Sequence, residues 1–283
     1  MKKKIILPFL FVFVLFSCEK VIDVDVPSIE PKLVVDATFE VFFNENPVTA
    51  DTNVKLTLTS DFFDEDIRGI TDAKVSVKNL SDGSVINYRN VDNEGNYLPT
   101  IIDFIPQDNV AYELTINYNN ETYTSEATKI KSSPITNIEQ TSRPFFAGEV
   151  LELKVSFVDI PNENEIDGNF YLFDFSDDSF SLVEDRLFED GEELTISEFY
   201  DDEDQELPRT IDIKLSGINR KFFNYFNILT NQAGAGGGGP FETIPATLLG
   251  NITNSSNDAN FPLGYFHISE TSVISVTLEE IEK

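Results

Sequence analysis

One cysteine, one histidine, one methionine and no tryptophan occur in 283 residues. A disulfide needs two cysteines and a thiolate zinc centre needs more, so neither forms within this chain. One histidine cannot build a histidine-based metal cluster, although it leaves a lone serine–histidine pairing formally open. Positive charge is scarce as well: 20 Lys and Arg stand against 50 Asp and Glu, for a net charge of −30. Such a field repels phosphate backbones and anionic membrane surfaces, which argues against nucleic acid as a partner. The chain holds no GK[ST] phosphate loop and no GxSxG elbow. What it does hold is apolar: 41% hydrophobic and 12% aromatic residues, enough to build a folded core.

The first residues read as an address. Lys2, Lys3 and Lys4 precede an apolar run over residues 5–16, interrupted only by Pro8. That run suits the hydrophobic region of a signal peptide and is too short to span a bilayer, which takes about 20 apolar residues. Leu15-Phe16-Ser17-Cys18 follows, and it resembles a bacterial lipobox whose cysteine is acylated and becomes the new N-terminus. Residues 1–17 are therefore expected to be a lipoprotein signal peptide, Cys18 the lipidation site, and residues 18–31 an acylated tether. An ordinary cleaved signal with an incidental cysteine is the alternative.

Beyond Pro31 the pattern has period two. Val54, Leu56 and Leu58 alternate with polar residues, as do Val75 and Val77, Leu114 and Ile116, and Leu151, Leu153, Val155 and Phe157. This is the signature of half-buried strands, and Asp82-Gly83, Glu94-Gly95 and Asn119-Asn120 punctuate it as turns. Residues 170–175, 211–215, 264–268 and 274–278 continue the theme. The expected architecture is all-β: two antiparallel β-sandwich domains of the immunoglobulin or transthyretin kind. The polar Lys131-Ser132-Ser133-Pro134 marks the boundary, giving an N-terminal sandwich over residues 32–130 and a β-rich domain over 131–283. One helix interrupts the second domain, over residues 218–230, with Ile218, Phe222, Tyr225, Phe226 and Leu229 on one stripe. Core packing is the plainer reading of that stripe, with a ligand platform as the alternative. On this reading Phe226 is a core anchor.

Four features bear on chemistry. Gly234-Ala235-Gly236-Gly237-Gly238-Gly239 matches GxGxxG but follows a helix, so the stretch 232–240 reads as a loop. His267 sits in a strand-like run, where a solvent-facing or hydrogen-bonded role is expected and a catalytic base is the alternative. Residues 174–206 carry fifteen Asp or Glu against Arg186 alone. A solvated excursion from the sandwich is expected there, and a calcium site is the alternative. A hydrolase built on paired carboxylates needs neither His nor Cys, but nothing singles out two acids among 50. No catalytic residue, cofactor or metal ligand is assigned.

Several stretches together resemble a family of Bacteroidota lipoproteins catalogued as domain of unknown function 4249. They are the run from Cys18 to Pro27, then Pro31-Lys32-Leu33-Val34-Val35, the Gly-rich run into Pro240-Phe241-Glu242, Gly250-Asn251-Ile252, and Leu263-Gly264-Tyr265-Phe266. The resemblance implies a lipid-anchored envelope β protein, often encoded beside TonB-dependent outer-membrane receptors, with no catalytic residues to carry over. The functional expectation is a non-enzymatic binding or accessory lipoprotein. It would be held in the outer membrane through Cys18 and work with an outer-membrane β-barrel uptake receptor. A structural or adhesive surface lipoprotein is the alternative, and a carboxylate-based glycan hydrolase a distant third.

Overall fold

Alternation along the chain sets the strands, and the strands set two cores. The computed structural model describes residues 30–60, 67–145, 148–161, 168–176, 179–185, 191–201, 207–234 and 248–279. The expected signal peptide, Cys18 and nearly all of the expected tether lie outside these residues, as do residues 235–247. Among the described residues the fold is all-β with one helix.

Eight strands come first: β1 (Leu33–Phe42), β2 (Thr49–Asp51), β3 (Val54–Leu58), β4 (Lys74–Asn79), β5 (Val85–Asn90), β6 (Asn96–Pro99), β7 (Ala111–Tyr118) and β8 (Glu121–Thr128). Their order in the sheet is β1-β3-β6-β5-β4-β7-β8, so the sheet curls over and faces itself. Leu33, Val35, Ala37 and Phe39 of β1 project inward against Leu56, Val77, Leu114 and Ile116. Phe39 sits at the centre, 5.2 Å from the ring of Phe266 and 6.3 Å from that of Tyr88. Asn119 and Asn120 turn β7 into β8 with φ of 49° and 63°, left-handed values that asparagine tolerates in a tight hairpin.

The second group is β9 (Ile135–Phe145), β10 (Gly148–Val158), β11 (Phe170–Phe175), β12 (Ser179–Glu184), β13 (Glu193–Asp201) and β14 (Arg209–Ile218). Then come α1 (Arg220–Gly234), β15 (Thr253–Asn254) and β16 (Leu263–Leu278). A three-stranded sheet, β13-β10-β9, packs on β12-β11-β14-β16, burying Leu153, Val155, Phe157, Tyr171, Phe173 and Phe175 between them.

The strand β16 joins the two halves. Its first part, from Leu263 to Thr271, runs parallel to β1, and its second part, from Thr271 to Leu278, runs antiparallel to β14. The first core accordingly takes Ile252, Phe266 and Ile268 from the C-terminal stretch, although its other buried members lie between Leu33 and Tyr123. The segment expected as a domain boundary is fastened down. Ser133 is 1% exposed, Ser132 donates its hydroxyl to the Leu215 carbonyl at 2.9 Å, and Ile130 exchanges backbone bonds with Ile268 and Glu270. A sheet edge at this point would leave unpaired backbone groups; Ile130 and the following serines fill them.

Two expectations need correction. The helix begins at Arg220, because Ile218 ends β14 and the Asn219 side chain caps the amide of Phe222 at 2.9 Å. It buries its first two turns only: Phe222 is 4% exposed, whereas Leu229 is 40% exposed. Phe226 is half-buried and not a core anchor. The described part of the acidic stretch 174–206 is not an excursion. Strands β12 and β13 occupy most of it, with Leu194 and Tyr200 of β13 inside the core. Strand periodicity turns Asp174, Glu193 and Glu198 outward without the backbone leaving the sandwich, whereas Asp185, just after β12, is buried.

Candidate functional site

Every second residue of β1 points away from the first core, and the next strands in the sheet do the same. Asp36, Thr38 and Glu40 of β1 lie beside His267 and Ser269 of β16, Ser216 and Ile218 of β14, and Leu172 and Asp174 of β11. These side chains floor a groove of about 440 Å³ that crosses the seam between the two halves. Helix α1 supplies a wall. It leaves β14 at Asn219 and folds back so that Phe222 and Phe226 overhang the sheet, with Phe180 of β12 closing the far side at 5.2 Å from Phe226. Asp51, Asn53, Lys55 and Asn96 form the opposite rim. One wall is aromatic and the other is polar, a common composition for a site that orients a small molecule.

The floor is ordered by specific contacts. Phe222 lies flat on the imidazole of His267, with centroids 4.5 Å apart and planes at 9°, and meets Tyr265 edge-on at 5.0 Å. His267 is 1% exposed, and its Nε2 faces the Gly217 carbonyl at 3.4 Å. Of the two roles expected for it, solvent-facing or hydrogen-bonded, the fold provides the second. Burial holds it down to about 4, so it is neutral at physiological pH. Next to it, Ser269 is 1% exposed and its Oγ has no hydrogen-bond partner. An unpaired buried hydroxyl costs about 1–3 kcal/mol, and here it faces the groove, where a bound molecule can satisfy it.

Glu40 and Lys214 pair at 2.5 Å across β16. Burial raises Glu40 despite the nearby ammonium. Burial depresses Lys214 as well, but Glu40, Asp174 and Asp51 together outweigh it, and the ammonium ends above its ordinary value. The groove is therefore lined by Asp36, Glu40, Asp51 and Asp174 against Lys55, while Lys214 beside it is engaged by Glu40. Its chemistry is that of acceptors: it suits ligands rich in hydroxyl or amine donors and disfavours anions.

The neutrality of His267 has a measurable consequence. An unfolded histidine takes up its proton near pH 6.5, but the folded one waits until about 4. As pH falls through that window the unfolded state alone is protonated, so stability is lost; the loss amounts to about 3 kcal/mol by pH 4. Asp185, pushed up to about 6 by burial, acts in the opposite sense over the same range. Denaturant midpoints of the wild type and His267→Gln at pH 7 and pH 4 separate the two. The wild type should lose more stability than the variant, and equal losses would contradict this account.

A second hollow of about 530 Å³ opens near Glu30 and Pro31, beside Arg68, Asp72 and Asn260. Close to it Glu121 accepts bonds from Tyr123, Asn257 and Asn260 at 2.7, 2.9 and 2.6 Å, which hold it down to about 2. Those bonds fasten the loop before β16 to the β8 hairpin, a structural task. The seam groove is the stronger candidate because it combines an aromatic wall with an unsatisfied buried hydroxyl.

Sequence reasoning assigned Cys18 as the modified residue, and Cys18 lies outside the described residues. It singled out His267 and, on the helical stripe, Ile218, Phe222 and Phe226 with a ligand platform as the alternative, but not the polar floor residues Asp36, Thr38, Ser216 and Ser269, because each is an ordinary outward-facing strand residue. Two stretches behind the family resemblance meet in space. Asn251 makes paired bonds to the backbone of Phe266 at 2.7 and 2.8 Å, and the backbone of Gly264 packs directly on Gly250. Among the described residues no helix is long and apolar enough to cross a membrane. The chain matches, over residues 19–275, the family described as Domain of unknown function (DUF4249). No curated protein matches it.

Proposed function

We propose that this chain, which belongs to the DUF4249 family, is a cell-envelope lipoprotein that binds a small donor-rich ligand in the seam groove. Acylated Cys18 holds it in the outer membrane, and it serves as an accessory to an outer-membrane β-barrel uptake receptor. The observation that carries the binding role is Ser269, a buried hydroxyl without a partner on the floor of a groove walled by Phe222 and Phe226. The anchor rests on Lys2, Lys3 and Lys4, the apolar run and the sole cysteine after Ser17. Several acyl chains, at about 0.8 kcal/mol per buried CH₂, would make attachment durable. A net charge of −30 favours uncharged or cationic ligands, such as polyols and amines, over anions.

Two experiments test the anchor and the groove separately. Cys18→Ala should yield an unlipidated precursor that no longer partitions with membranes; normal membrane retention would overturn the anchor. For the groove, Thr38 is exposed on β1 and lines the floor, so Thr38→Trp should fill the space without touching the core. A thermal-shift screen against neutral saccharides and amines should give hits with the wild type that vanish in Thr38→Trp. Hits that persist in the variant would place binding elsewhere. The receptor role is read by co-purification from solubilised outer membranes, where the wild type should bring a β-barrel transporter with it. A chain that retains its anchor yet binds no ligand and brings no transporter would favour a structural surface role.

A further inference from the structure

The acids of the seam groove gather at one end. Glu40 stands beside Asp51 of β2 on one flank and beside Ser269 of β16 on the other. Asp174 of β11 stands between Lys214 of β14 and Phe180 of β12. Lys214 reaches over β16 to Glu40, and Asp51 and Asp174 both lie within electrostatic reach of that pair. At the other end Asp36 faces Lys55 in the β1–β3 register. Four carboxylates thus stand against two ammonium groups, and the excess of negative charge sits where Glu40, Asp51 and Asp174 converge. Two uncharged features share that end. The Ser269 hydroxyl, buried and without a partner, lines the groove beside Glu40. The exposed ring of Phe180 meets Phe226 edge-on at 5.2 Å and closes the groove beside Asp174.

Acids beside aromatic rings attract a cation twice, through their charge and through the negative ring faces. Among the described residues no three acidic, histidine or cysteine side chains come together as metal ligands do. A groove of about 440 Å³ is also far larger than a bare ion needs, so the positive charge belongs to a larger molecule. A neutral ligand lying under Phe222 and Phe226 would take water from Asp51 and Asp174 and return no countercharge. An ammonium group avoids that cost, and an anion would be repelled by the same carboxylates. The remainder of the ligand is apolar, because the wall beyond the acids is Phe222 and Phe226.

We infer that the ligand of the seam groove is an organic amine with an apolar body, its ammonium group held by Asp51, Asp174 and Ser269 and its body laid against Phe222 and Phe226. This rests on the binding role proposed for the groove and narrows it from donor-rich molecules in general to cations.

Titration calorimetry of the purified full chain with matched probes tests the charge directly. The probes are phenethylamine, 2-phenylethanol and 3-phenylpropionate, which are cationic, neutral and anionic at neutral pH. Phenethylamine should bind saturably, 2-phenylethanol about tenfold more weakly or worse, and 3-phenylpropionate not at all. Asp51 and Asp174 are exposed, and Asn keeps an acceptor oxygen at each, so Asp51→Asn and Asp174→Asn should fold normally. Each should weaken phenethylamine binding by about tenfold and leave 2-phenylethanol unchanged. Glu126→Gln, at an exposed position on β8 outside the groove, should bind as the wild type does. Equal affinity for the amine and the alcohol, or unchanged amine affinity in both aspartate variants, would overturn the inference. So would the absence of saturable phenethylamine binding; neutral saccharides that then shift the wild type but not Thr38→Trp would leave the groove itself standing as a binding site. Phenethylamine binding that persists in Thr38→Trp would overturn both.

Discussion

Gly264→Ala is expected to leave no folded protein. Gly264 is the second residue of β16 with φ at +99°, and a Cβ built on it would stand 1.8 Å from the Val35 carbonyl oxygen. The obstruction is backbone on β1, not the end of a flexible side chain, so relief requires β1 and β16 to separate. That pairing holds Val35, Phe39, Phe266 and Ile268 in one core, and its loss should cost more than about 4–5 kcal/mol. Gly83 is the control. Its φ is +77° but nothing lies within 4 Å of an added Cβ, so Gly83→Ala should carry only the left-handed backbone cost of about 1–2 kcal/mol. Circular dichroism and thermal melts on the two purified variants check the contrast. A folded Gly264→Ala protein with a normal melt would mean that the β1–β16 seam is looser than described.

Phe222→Ala should come next, and its effects should divide between stability and binding. The ring is 4% exposed and touches His267, Tyr265 and Phe226, so truncation should cost about 3–5 kcal/mol and roughly 10 °C in melting temperature. The same ring is the wall of the groove, and its removal should open His267 to water and abolish any ligand-induced thermal shift. Phe226→Ala, at a half-buried position, should cost much less stability while still weakening binding. Urea melts of the two variants read the first effect and the ligand screen reads the second. If Phe226→Ala proves the more damaging to the fold, the helix packs through its second turn and the groove wall has been misplaced.

Most of the strands could be read from the sequence because one face of each is wet. Val54-Lys55-Leu56 and Leu151-Glu152-Leu153 show a strand's period directly. The sequence shows strand β16 as two runs, residues 264–268 and 274–278, because the polar Ser269-Glu270-Thr271-Ser272 interrupts the alternation. Those residues are polar because the linker and β14 bond to them: Ser272 Oγ accepts from the Ile135 amide at 3.1 Å, and Thr271 bonds Ser216 at 2.9 Å. A strand whose side chains serve a junction loses the alternation that identifies strands. Ile218 was drawn into the helical stripe by spacing alone, since the Asn219 cap lies beyond what periodicity registers. The candidate site was the least legible part. Thr38, Asp174, Ser216 and Ser269 come from four strands, and only the sheet order, set by pairings between residues far apart in sequence, brings them to one floor.

That same sheet order governs how the chain can be assembled. Strand β1 finds its parallel partner about 230 residues further along, so one of its edges stays bare until almost everything else has been made. The first sandwich cannot seal on its own, for Phe266 and Ile268 have yet to arrive. The second cannot seal either, since β14 waits for the later half of the same strand. Acquisition of structure is therefore a late and concerted event. A growing chain exposes a long apolar edge throughout, the condition under which strands pair with the wrong neighbour. The two sandwiches share one closing step, and neither is a detachable module.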